Sequence, residues 1–281
     1  MGIRTGSEFI ESLRDERVVY VNGERLTDVT TYPPFQGILA TLASLYDLNH
    51  ERREELTFPS PADGAPVALS FLKTASLAQV EQRLRAEEMR AEYTFGLMGR
   101  LPDFCNAYVT DLAVAADYLG QRDPRFGQNA IRYWEECRDR DLCLTHTLAD
   151  PQIDRSKGPA EQSDPFLTLR VVRETDSGVI VRGAKMLSTL APFANELYLG
   201  PFIPRSPGEE DYALAFALPC ATPGLKFVCR EPYDAGRSHF DRPASSRFDE
   251  EDAIAIFDNV LVPWECVFIY RDIEIFNTAS H

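Results

Sequence analysis

The 281 residues carry a formal charge of −15, from 29 Lys and Arg against 44 Asp and Glu; this excludes nucleic acid or an anionic membrane surface as the natural partner. No run of eighteen apolar residues occurs and residues 1–8 have no apolar signal core, so no membrane span is predicted and a cytoplasmic location is expected. Six cysteines (Cys105, Cys137, Cys143, Cys220, Cys229, Cys266) form no CxxC pair and no zinc spacing, which predicts reduced, buried thiols and no metal site.

Residues 7–17 read as a short helix with Ser7 as N-cap and apolar residues three and four apart. Val18 to Leu26 is a hairpin signalled by Asn22-Gly23. Pro33-Pro34 opens a helix from Phe35 to Asn49, where Phe35, Ile38, Leu39, Leu42, Leu45 and Tyr46 keep helical spacing. Residues 59–66 are a Pro- and Gly-rich loop. Helices are predicted over about 76–99, 103–119 and 129–141, the first with a solvated charged face.

After Asp150 the pattern changes. Phe166 to Glu174 and Gly178 to Gly183 alternate around a turn at Asp176-Ser177-Gly178, predicting a hairpin. Short strands are predicted over 197–199, 212–218, 225–228 and 253–257, with turns at Pro219, Pro223-Gly224, Pro232 and Asp258-Asn259. The fold class is therefore α+β: a helical N-terminal domain over 1–145, then an antiparallel β-barrel or sandwich over 146–270.

The junction, Cys143 to Lys157, gathers an imidazole, hydroxyls, carboxylates, an amide and a guanidinium in one irregular stretch. Asp150-Pro151 halts regular structure there, and domain junctions favour ligand sites. His146 on its own is more often a structural histidine than a catalyst. Arg100, at a helix break, reads alone as a surface or capping residue, and Thr189 as a strand-end hydroxyl. GxGxxG, GxxxxGK[ST], GxSxG and HExxH are all absent, which leaves nucleotide-phosphate loops, hydrolase elbows and zincins unsupported.

Four stretches, in order, carry a resemblance: Gly99-Arg100-Leu101-Pro102-Asp103-Phe104; Thr145-His146-Thr147 with Asp150 to Ser156; Gly183 to Glu196; and Ser246 to Ala253 with Phe257 to Glu265. Together they resemble the 4-hydroxyphenylacetate 3-monooxygenase family, the oxygenase components of two-component flavin-dependent phenol hydroxylases with an acyl-CoA dehydrogenase-like fold. The resemblance implies a third, helical C-terminal domain that this chain lacks, with 271–281 as its start. It implies reduced FAD supplied by a separate reductase, O2 as co-substrate, one oxygen delivered ortho to a phenol hydroxyl, and a homo-oligomer once the C-terminal domain is supplied.

By the same resemblance Arg100 and His146 meet the phenolic oxygen, and His146, titrating near neutrality, moves its proton. Phe104, Arg205 and Ser206 complete the substrate-binding set. His146, Gln152, Ile153, Asp154, Arg155 and Thr189 fall at FAD contacts. Phe104 departs from the family's usual Tyr, so Arg100 and His146 are left to hold the phenolate alone. The redox-neutral hydroxybutyryl-CoA dehydratase branch is discounted, because Arg100 and Phe104 stand where iron–sulfur ligands are needed. The alternative is a non-catalytic flavin-binding remnant that needs a separate C-terminal partner.

Overall fold

The computed structural model describes residues 2–151, 153–234 and 238–279. The first helix, α1 (Gly6–Glu11), is capped by Thr5 rather than by Ser7. Thr5 Oγ1 accepts the Glu8 N–H at 3.2 Å while Glu8 Oε2 accepts the Thr5 N–H at 2.8 Å. This reciprocal capping box outweighs the lone hydroxyl of Ser7. Strands β1 (Val19–Val21) and β2 (Glu24–Arg25) form the expected hairpin. Its two turn residues, Asn22 and Gly23, take φ of 52° and 81°, the positive values that a two-residue type I′ turn demands.

Helix α2 (Gln36–Glu51) follows a single turn opened by Pro33-Pro34, then α3 (Arg53–Leu56) leads into the small pair β3 (Thr57–Pro59) and β4 (Pro66–Ala68). Helix α4 (Leu77–Tyr93) is shorter than its charge pattern suggested, because Phe95 and Gly96 turn left-handed with φ of 54° and 67°. Helix α5 (Pro102–Val114) breaks before α6 (Ala116–Leu119). Helix α7 (Pro124–Arg140) begins five residues earlier than predicted: Asp123 accepts the Arg125 N–H at 3.0 Å and Pro124 pre-sets the first turn.

The strands are β5 (Leu144–Thr147), β6 (Arg170–Thr175), β7 (Gly178–Lys185), β8 (Glu196–Leu199), β9 (Leu214–Pro219) and β10 (Leu225–Cys229). A short helix, α8 (Ser245–Phe248), precedes β11 (Ala253–Pro263), β12 (Val267–Tyr270) and α9 (Ile273–Thr278). Of the expected antiparallel barrel or sandwich, the described residues show no closed barrel. They pair into an open six-stranded sheet, β2-β1-β10-β11-β7-β6, and an open four-stranded sheet, β12-β9-β8-β5. Within them β1 runs parallel to β10, and β5 parallel to β8. Closure would require a hydrogen-bonded partner for both outer strands, and β6 and β2 end the larger sheet instead.

The main core lies between the first two helices and these sheets, joining Phe9, Phe35 and Leu42 to Phe193, Phe216, Phe227 and Phe257. A second cluster packs Ala130 of α7 with Tyr198, Phe268 and Phe276. All six cysteines are free thiols, five of them buried. No helix among the described residues is long and apolar enough to cross a membrane.

Candidate active site

β5 carries His146 beside Tyr198 of β8, and the start of α5 comes up against it. The Phe104 ring lies 5.6 Å from the imidazole, centroid to centroid, and the Arg100 guanidinium sits 4.5 Å from the Phe104 centroid. Arg100 and His146 thus both lie against the Phe104 ring, the imidazole tilted at 57° to it. The backbone N–H of Arg100 donates to Glu250 Oε1 at 2.5 Å, which fixes the turn before α5.

Both ring nitrogens of His146 are buried and have no hydrogen-bond partner within the protein. Orphaned buried polar atoms are exceptional in native structures and mark places where a ligand or water is meant to sit. Burial, reinforced by the Arg100 guanidinium and opposed by Asp252, pushes the imidazole down to about 4. The expectation that His146 titrates near neutrality is corrected: at pH 7 it is a neutral ring, able to donate from one nitrogen and accept at the other.

Thr189 is presented on an unusual loop rather than at a strand end. Its neighbours Leu187 and Leu190 both take left-handed φ, 60° and 62°, a conformation costing roughly 1–2 kcal/mol for a non-glycine residue. Hydrogen bonds from Ser188 N to Ala253 O (2.9 Å) and from Leu190 N to Glu251 O (2.7 Å) hold it there. The Thr189 hydroxyl donates to Asp252 Oδ1 at 2.6 Å, and its carbonyl accepts from Thr145 Oγ1 at 2.5 Å. With its proton committed to a carboxylate, the Thr189 oxygen offers a ligand only a lone pair.

A second group lines a cleft of about 460 Å³ that includes Asp150, Asp154, Arg155, Arg205, Ser206 and Glu209. The Asp154 carboxylate is occupied locally: it accepts from Ser156 N (3.1 Å) and Ser156 Oγ (2.7 Å). Those bonds, with Lys157 nearby, hold its pKa below the usual carboxylate range. Ile153 is exposed and Gln152 lies outside the described residues. Ser206 donates its N–H to Glu209 Oε2 at 2.8 Å. Arg205 is placed differently from a free substrate contact: its side chain is 1% exposed and Nη1 lies 2.6 Å from Asp150 Oδ2. The fold therefore brings Arg100, Phe104, His146 and Thr189 into one group and Asp154, Arg155, Arg205 and Ser206 into another, joined along the junction stretch.

Residues 5–269 match the family model described as 4-hydroxyphenylacetate 3-hydroxylase N terminal. The chain belongs to this family. Among relatives of the 4-hydroxyphenylacetate 3-hydroxylase family, the oxygenase component of 4-hydroxyphenylacetate 3-monooxygenase from Thermus thermophilus is 43% identical over 277 residues, covering 98% of this chain and 56% of the relative. The corresponding Geobacillus protein is 40% identical over 280 residues, covering 99% and 57%. A crystal structure of such an oxygenase component complexed with FAD and 4-hydroxyphenylacetate superposes with a TM-score of 0.92 at 44% identity, covering 98% of this chain and 57% of that one. The chain thus spans a little over half the length of these relatives. A 4-hydroxybutyryl-CoA dehydratase, at 24% identity and a TM-score of 0.83, shares the fold.

In this 4-hydroxyphenylacetate 3-hydroxylase family member, residue-type reasoning alone overlooked the acidic run Asp249 to Asp252. Glu250 fixes Arg100 and Asp252 fixes Thr189. A signal existed, since four consecutive carboxylates directly before an apolar strand are not a turn signature, but nothing in the sequence said which cations or hydroxyls they would meet.

Proposed function

We propose that the chain provides the phenol- and flavin-contacting walls of a two-component monooxygenase, which uses reduced FAD and O2 to hydroxylate a phenol ortho to its hydroxyl. The observation that carries this reading is His146, with two buried, unmet nitrogens, against the Phe104 ring that Arg100 also covers. The donor set fits a flavin: Thr189 offers a lone pair to a ring N–H, the exposed Ile153 offers an apolar face, and Asp154 and Arg155 border the cleft. Bound there, reduced FAD with O2 supplies the oxygen atom for transfer.

The chain's own residues bind and orient the phenol. The Arg100 guanidinium pairs with the phenol oxygen and favours its ionised form, which raises electron density at the ortho carbon. His146, neutral at pH 7, donates its ring N–H to the phenol oxygen and so holds it beside Arg100. Phe104 adds an apolar wall without a hydroxyl, so affinity for the phenolate rests on Arg100 and His146. This reading divides the acyl-CoA dehydrogenase-like chain into 1–145, 146–270 and 271–281. A flavin reductase and further copies of the chain are its partners.

A second reading is a non-catalytic flavin-binding module that works with a separate C-terminal partner. One experiment separates the two. The protein is loaded anaerobically with reduced FAD, mixed with O2 and 4-hydroxyphenylacetate, and assayed for catechol product and oxygen consumed. Product that disappears in His146→Ala supports the monooxygenase; oxygen consumed with no product supports the module; full product from His146→Ala refutes the assigned role of His146.

A further inference from the structure

Asp150, Lys185 and Arg205 form a buried ion triad outside the Arg100–His146 group. One carboxylate meets two cations: Lys185 Nζ lies 2.6 Å from Asp150 Oδ1 and Arg205 Nη1 lies 2.6 Å from Asp150 Oδ2. The side chains are 11%, 3% and 1% exposed for Asp150, Lys185 and Arg205. Lys185 also donates to Leu148 O at 3.1 Å, and its strand is bridged to the junction by Met186 N to Ala149 O at 2.8 Å. Arg205 is clamped at its backbone as well: its N–H donates to Asn277 Oδ1 at 2.7 Å and its carbonyl accepts from Asn277 Nδ2 at 2.9 Å.

We propose that Asp150 and Arg205 are positioning residues that lock the junction wall formed by Asp150, Pro151, Asp154 and Arg155 to the 201–208 loop, so that the two walls of the cleft move as one body. Among the described residues, neither the 150–155 wall nor the 201–208 wall has regular secondary structure of its own, so the side-chain lock carries the coupling. A second contact acts in the same sense. Gly158 approaches the Glu209 carboxylate so closely that a Cβ there would lie 2.4 Å from Oε1, and Glu209 in turn holds Ser206 N. The charge count sharpens the assignment: with one anion between two cations, Asp150 is the member neither cation can spare, because its loss leaves like charges buried together. The consequence for catalysis rests on the flavin- and phenol-contact reading above; the mechanical coupling does not.

Hydrogen exchange by mass spectrometry on the full chain tests the lock, comparing the parent with D150N, R205M and the double variant at neutral pH. Each single change is expected to speed exchange at least tenfold in both 149–155 and 201–208, while the β9 core, 214–219, keeps its parent rate. The double variant is expected to exchange no faster than D150N, since removing the Arg205 charge relieves the repulsion that D150N creates. Loosening confined to the mutated wall, or rate increases that multiply in the double variant, would overturn the proposal. R205K, which keeps the charge and shortens the fork, serves if D150N does not fold, and it too must loosen 149–155. Reduced-FAD titration of the same variants separates the two readings: coupled exchange with unaltered FAD affinity leaves the lock standing and counts against a flavin contact at 153–155.

Discussion

Glu251 is wholly buried and neither of its carboxylate oxygens accepts a hydrogen bond. Burial pushes its carboxyl up to about 8; Arg230 opposes this at 3.5 Å, and Asp249 and Asp252 reinforce it. Arg230 is the weaker influence because it is already bonded to Asp249. The folded protein thus keeps the Glu251 proton up to about pH 8, whereas the unfolded chain releases it near the ordinary carboxylate value. Stability contributed by the neutral acid is complete at low pH and drains away as pH rises through that window, a loss on the order of a few kcal/mol. Glu251→Gln mimics the neutral acid without titrating. Urea unfolding should find it more stable than the parent at pH 8 and nearly equal to it at pH 4.5; an equal gap at both values would refute the assignment. Residues of this kind are poorly legible in sequence. His146 and Arg100 stand out because motif order points to them, but Glu251 looks like any member of an acidic run. Lys185 and Arg205 stand 35 and 55 positions from their partner carboxylate, Asp150, and no local pattern joins them.

At the scale of elements, α8 sets the acidic run in place. Its anchor is Gly37 of α2, where a Cβ would lie 1.6 Å from the Ser246 carbonyl oxygen. One turn on, Thr41 Oγ1 donates to Arg247 O at 2.7 Å. The residues immediately after α8 hold Arg100 and Thr189, so the helix packing at Gly37 reaches the site through the chain itself. Gly37→Ala must push α8 off α2 by overpacking, at a cost of about 1–3 kcal/mol. The expected result is a lower thermal midpoint, with exchange at 249–252 faster than in β9; a variant as stable as the parent would show that α8 can shift freely. Element types were largely legible here, because Pro33-Pro34, Asn22-Gly23 and the alternation of β6 and β7 are local signals. Boundaries failed where a cap went unread: Thr5 with Glu8, and Asp123 with Pro124, were both present in the sequence. The strand β12 went unread because its four residues carry no alternation.

Across the whole molecule, fold class and the helix-then-strand order could be inferred from composition and periodicity, but strand pairing could not. Pairing depends on which apolar edges meet after the chain has turned many times. The parallel match of β1 with β10, and of β5 with β8, places strands from the helical half in both large sheets. A fragment ending at residue 145 therefore lacks β10, the strand that joins the β1–β2 hairpin to the rest of the six-stranded sheet, as well as the core residues that pack with Phe9 and Phe35. It should show no cooperative transition on heating, as read by circular dichroism. A sharp melt would mean that the helices close a core without the sheets.

The β1–β10 pairing also has a consequence in time. Val21 meets Cys229 across about 200 residues of chain, and a ribosome adding roughly 5–20 residues per second takes about 10–40 s to make them. Throughout that interval the apolar edge of β1 is a strand without a sheet, able to pair with any neighbouring chain. The two-strand hairpin built on Asn22-Gly23 occupies one edge of β1 at once with β2, so only the edge reserved for β10 has to be guarded while synthesis finishes.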